Sequence, residues 1–176
     1  MKKISFSKIF MTALVLGLLG APGAYAQTNM EEFMAKWDNG KKFTLDVVDK
    51  MPDDLLDYSP HESAMNFTEM VTHVAGSIAG LSEGFMLGES PGFDLKAKPQ
   101  TKEELKKFIN DCYDYGKKTI SNLTEEQLSE EIDTFAGKIT RRQMLSLIDD
   151  HAIHHRGAAI SYIRANGIEP PAFTAL

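Results

Sequence analysis

The stretch Thr140-Arg141-Arg142-Gln143-Met144-Leu145-Ser146-Leu147-Ile148-Asp149-Asp150-His151-Ala152-Ile153-His154-His155-Arg156-Gly157, running on to Asn166-Gly167, decides the fold. It opens on a capping-box pattern, Thr140 with Gln143 three residues later. It closes on Asn-Gly, a natural helix stop, and Pro170-Pro171 prevents resumption. Between these signals Met144, Ile148, Ala152, Ala158, Ala159 and Tyr162 recur on one face, which predicts a long amphipathic helix. His151 and His155 fall inside that apolar stripe. Four residues separate them, so about 400° of helical rotation leaves the two imidazoles one turn apart on the same face. His154 falls at the edge of the stripe, beside Asp150 and Ser161.

Three further segments show the same period. The first runs from about Met30 to Lys50, with Phe33, Met34, Trp37, Phe43, Val47 and Val48 or Met51 as apolar positions, and Pro52 ends it. A loop rich in proline and acid follows, pinned by Leu55, Leu56 and Tyr58. The second begins near Asn66, capped with Glu69, and carries Phe67, Met70, Val71, Val74, Ala75, Ile78, Leu81 and Phe85. His73 sits roughly 120° from the centre of that stripe, on a flank shared with Ser77, Gly80 and Gly84. After a glycine- and proline-rich loop from 88 to 99, Thr101 and Glu104 form the capping box of the third helix, which carries Leu105, Phe108, Ile109, Cys112, Tyr113 and Ile120. Thr124 to Gln127 predicts a short helical turn, and residues 132–139 read as a connector with at most a local extended segment. No run alternates well enough to build a sheet. The reading is all-α: one domain, a four-helix bundle.

The beginning of the chain has a different character. Lys2, Lys3 and Lys8 precede an apolar run from Ile9 to Leu19, and Gly20, Pro22 and Gly23 lead to Ala24-Tyr25-Ala26. This is the pattern of a signal peptide over residues 1–26, cleaved after Ala26. The run is short for a bilayer span. The expectation is a periplasmic or secreted protein, residues 27–176 forming its single domain, with no membrane anchor after cleavage. The formal charge of −6 becomes −9 without the three leader lysines. Such an acidic chain, lacking a basic cluster, is unsuited to nucleic acid or anionic membrane. The single cysteine, Cys112, has no internal disulfide partner and reads as a buried structural thiol.

Two imidazoles among core residues need partners for their ring nitrogens, because burying them unpaired is costly. A metal ion would satisfy one nitrogen of each; hydrogen-bonded core histidines, or histidines lining a cleft, are the alternative. The metalloprotease pattern H-E-x-x-H is absent, since Ala152 stands where its glutamate would be. A third ligand has to come from another helix, and His73 is the other histidine on a predicted helix, His61 lying in a loop.

Met51-Pro52-Asp53-Asp54-Leu55-Leu56-Asp57-Tyr58, followed by a helix carrying Met70-Val71-Thr72-His73-Val74-Ala75, resembles the first half of a DinB-like protein. Asp150-His151-Ala152-Ile153-His154-His155-Arg156-Gly157, with Tyr162-Ile163-Arg164-Ala165-Asn166-Gly167-Ile168-Glu169-Pro170-Pro171, is similar to the second half. The resemblance covers nearly all of the chain after the leader. It implies a four-helix bundle, often dimeric, in which three histidines hold one divalent metal; matched residue by residue, these are His73, His151 and His155. One departure stands out: Ala158 follows Arg-Gly where many relatives carry glutamine.

Three neutral imidazoles leave positions open for water or substrate, and such a centre acts as a Lewis acid on bound water. Nickel, zinc, iron and manganese all accept imidazole ligands. Glu69, one turn before His73, is a candidate general base or a surface carboxylate; Arg156 is a candidate holder of an anionic substrate or the partner of a surface carboxylate. The resemblance implies a metal-dependent enzyme of the hydrolase or transferase class acting on a small molecule. Because transferase relatives use cytosolic thiols and this chain carries an export pattern, hydrolysis is the expected chemistry. The alternative is a non-catalytic metal-binding or stress-associated bundle. A homodimer is expected from the resemblance, with Ile153 and Ile160 on a second apolar face compatible with it.

Overall fold

The computed structural model describes residues 30–174, so the leader pattern at 1–26 lies outside the described residues. The helices are α1, Met30–Lys50; α2, Phe67–Phe85; α3, Lys102–Ser121; the short α4, Glu125–Ser129; and α5, Arg141–Ala165. A hairpin of β1, Glu131–Thr134, and β2, Gly137–Thr140, precedes α5. None of the described helices is long and apolar enough to cross a membrane.

The four long helices form the expected bundle. Around its square they run α1, α3, α2, α5, which places α1 and α2 on one diagonal and α3 and α5 on the other. Lys117 pairs with Asp38 and Lys106 with Asp49, so α1 and α3 are antiparallel. Arg141 donates to the Phe85 carbonyl and Tyr162 to that of Met65, so α2 and α5 are antiparallel. Gly76 lies against Phe108 and Gly116 against Ile78, so α2 and α3 are parallel. The sense of the four is therefore up, down, down, up. Parallel neighbours α2 and α3 require the chain to travel back along the bundle, and residues 86–101 do this. On the way Phe93 packs edge-on against Phe108 and Tyr115.

Packing follows the apolar stripes. Trp37 is buried, donates to the Tyr113 carbonyl at 3.1 Å and meets the Tyr113 ring edge-on. Asn66, Thr124 and Thr140 form complete capping boxes. Thr101 caps α3, but Glu104 reaches back to the backbone of Gln100, so the reciprocal half of that box is shifted by one residue. In α5 the buried set is Arg141, Met144, Leu145, Ile148, Ala152, Ala159, Tyr162 and Ile163; Ala158 is only half-buried.

The hairpin corrects the expectation of no sheet. Ile132 pairs with Ile139 and both pack against the core. Gly137, inside the segment read as a connector, takes φ +94°, a conformation open to glycine, and lets the chain reverse within two residues. β1 alternates in burial but over four residues only, and β2 does not, so the pattern was too brief to stand out.

Candidate metal centre

His73 is carried on the flank of α2 beside the buried Val74 and Ala75, and the antiparallel crossing brings it opposite the middle of α5. There His151 and His155 project from successive turns. The ring centroids of His73 lie 5.0 Å from His151 and 4.6 Å from His155, and the latter two are 4.4 Å apart. One nitrogen from each can be chosen so that all three lie within 4.8 Å of one another. All three rings are half-buried, where the apolar stripe of α5 had placed His151 and His155 in the core.

The donor set fits a divalent ion. Nitrogens bound to one zinc-sized ion at about 2.0–2.1 Å stand no more than about 4.2 Å apart, so small side-chain rotations close the trio. Among the described residues none of these rings is held by a hydrogen bond to a carboxylate or carbonyl; they face one another. Burial pushes His155 down to about 4, with His151, His73 and His154 adding to the effect. His151 is lowered by burial first and then by His73 and His154. An imidazole that resists protonation keeps its lone pair available, as ligation requires.

The other candidates surround the trio in different ways. His154 is exposed, its ring 4.8 Å from that of His155, and His61 is exposed in its loop, bonded to Ser63. Glu69 accepts from the Asn66 backbone at 2.9 Å, completing the cap of α2. One oxygen of its carboxylate thereby serves the helix end, and the residue also lines a cavity that His73 borders. Among the described residues Arg156 is in no ion pair. It donates to the Gly40 carbonyl at 3.2 Å and to Thr44 Oγ1 at 3.4 Å, and stacks over Phe43. Thr44 in turn shares a hydrogen bond with Tyr113 Oη at 3.0 Å. This seam behind the histidines has no signature in the sequence, because its key acceptor is a main-chain oxygen. Cys112 is buried and its thiol is pushed up to about 12 by burial and by Asp111, an inert structural group.

The cavity beside His73 has a volume of about 630 Å³ and lies between α2 and the returning loop at Leu95–Gln100. Ser77 and Gly76 line it along with the histidine, so part of the small-residue flank of α2 does border open space. The loop wall went unanticipated; its only sequence signal was two lysines spaced two apart in a proline-bounded segment.

Comparison with known proteins gives a consistent set of likenesses. The model of the DinB family matches residues 26–176. An uncharacterized protein of Bacillus subtilis strain 168, YjoA, is 32% identical over 133 residues, covering 72% of this chain and 84% of its own. The crystal structure of that DinB-like protein superposes with a TM-score of 0.68 at 27% identity, over 82% of this chain and 99% of the other. A DinB-like protein from Bacillus cereus ATCC 10987 gives 0.69 at 19% identity, over 82% and 97%, a likeness of fold.

Proposed function

Because the chain belongs to the DinB family and brings three imidazoles to one point, we propose that it binds one divalent metal through His73, His151 and His155 and works as a metal-dependent enzyme. The convergence of three ligand nitrogens within 4.8 Å carries this reading. Bound there, the ion would supply Lewis-acid polarisation and a water of lowered pKa. The chain's own contribution is to hold His151 and His155 neutral and to leave room beside His73 for a small molecule. Hydrolysis is the reaction class we favour, with transfer to a small acceptor as its neighbour; nickel, zinc, iron and manganese all suit the ligand set.

One observation favours a second reading. Glu69, the nearest candidate base in sequence, uses Oε2 in a helix cap. A non-catalytic metal-binding protein, its ion crosslinking α2 and α5, needs no base.

Elemental analysis of the purified protein, before and after reconstitution, tests the site. About one ion per chain in the wild type and loss of it in His151→Ala is the expected result. Unchanged metal content in that variant ends both readings. A panel of ester, amide and thiol-transfer substrates, run with reconstituted protein, separates enzyme from metal-binding bundle.

We further propose export to the periplasm or medium, supported by the leader pattern, and a homodimer formed over the outer face of α5, where Ile153 is exposed. Ile160 is half-buried and packs on the chain's own core, leaving Ile153 as the apolar contribution of that face. Cell fractionation and sedimentation equilibrium test these.

A further inference from the structure

We propose that the cavity beside His73 is a subsite for an organic anion, a carboxylate or sulfonate on a short apolar body, held by Lys96 and Lys98. That the anion is part of a substrate rests on the metal-enzyme reading above; its binding does not.

Charge distribution motivates the assignment. Among the described residues every lysine except Lys50, Lys96, Lys98 and Lys118 is in an ion pair. Two of these four line one cavity. In a chain with a formal charge of −6, carboxylates are abundant, yet these two exposed lysines on one cavity wall have none, which leaves them open to an anion. The facing acids do not supply the partner. Glu69 is engaged by the Asn66 backbone, and Asp57 on the rim makes no ion pair among the described residues.

The rest of the cavity fits the body of such a molecule. Its volume of about 630 Å³ is that of a small-ligand site. Leu95, Ala97 and Pro99 on the loop and Gly76 on α2 contribute apolar lining to the same cavity as the lysines and the histidine. Thr72, on the α2 wall, carries a buried hydroxyl with no hydrogen-bond partner. An anion held at the loop thus directs the far end of its body toward His73.

Metal-free protein titrated with hexanoate, hexanesulfonate and hexanamide, followed by amide and imidazole NMR shifts, provides the test. Both anions should bind at least about tenfold more tightly than the amide, as expected for hydrogen bonds to a charged group. Shifts should centre on Ser77, Thr72 and His73. Lys96→Gln with Lys98→Gln should bring hexanoate down to the affinity of hexanamide, and Lys96→Arg with Lys98→Arg should retain it. Equal binding of hexanoate and hexanamide, or anion binding that survives the double glutamine variant, overturns the proposal. Zinc uptake measured in the same samples keeps the two readings apart. Protein that takes no zinc yet binds hexanoate through the lysines retains the subsite and loses the metal centre; protein that takes zinc but does not distinguish acid from amide loses the subsite alone.

Discussion

An imidazole ligates a metal only through an unprotonated nitrogen, so the downward push on His155, to about 4, and on His151 bears on both binding and folding. In the unfolded chain these histidines titrate near 6.5. As pH falls below that value the unfolded state takes up protons first, and the metal-free fold loses stability; the loss from His155 is complete below about 4, where both states are protonated. The urea midpoint of metal-free protein should therefore fall between pH 6.5 and 4, and more steeply in the wild type than in His155→Gln. Parallel profiles for the two would refute the shifted titration. Arg156 offers a second prediction at this scale. Its contacts with Gly40, Thr44 and Phe43 bind α5 to α1, so Arg156→Ala should cost about 1–2 kcal/mol in chemical denaturation while leaving metal content intact. Metal loss without destabilisation would return the guanidinium to the site. The histidines were legible because spacing along one helix and a flank position on another are local facts. The role of Arg156 was not, since its acceptor lies 116 residues away on the main chain.

Helix ends show how far local chemistry reaches. Three capping boxes stand where Asn66-Glu69, Thr124-Gln127 and Thr140-Gln143 predicted them, because both partners of each lie within four residues. Thr140→Ala should remove the side-chain acceptor for Gln143 N–H at the start of the histidine-bearing α5 and cost about 1 kcal/mol, read as a lowered urea midpoint. The hairpin ahead of α5 was invisible for the opposite reason: its strands are held by pairing and by the core. Glycines within helices needed the same tertiary information. Gly116 looks replaceable in α3, and alanine there would gain about 1 kcal/mol of helix propensity. Yet a Cβ would sit 2.8 Å from Trp37 Cζ2 and 3.0 Å from Ile78 Cγ2, inside the seam of three helices. Overpacking of this kind costs about 1–3 kcal/mol, so Gly116→Ala should lower thermal stability on balance. A rise in Tm would show that Trp37 yields easily.

At the scale of the whole molecule, four stripes of apolar residues implied a bundle, but nothing in them said which helices are neighbours. The order around the square and the up, down, down, up sense follow from long connections: residues 51–66 and 122–140 cross diagonals, and residues 86–101 return along the bundle. This arrangement gives the proposed metal a structural consequence. Its ligands come from α2 and α5, antiparallel neighbours that share no short connection, so an ion bound at both would crosslink segments 78 or more residues apart in sequence. A ligand that binds only the native state stabilises it by RT ln(1 + [L]/Kd), about 2.7 kcal/mol at a hundredfold excess over Kd. For a chain of this size each kcal/mol raises Tm by about 2–4 °C. Zinc at that excess should therefore raise the midpoint of the metal-free protein by about 5–11 °C, and a chelator should reverse it. His73→Ala should abolish the increment even though His151 and His155 remain on one helix, because two ligands on α5 alone no longer tie it to α2. An increment that persisted in His73→Ala would mean that the ion grips α5 by itself, and the cross-helix centre would be wrong.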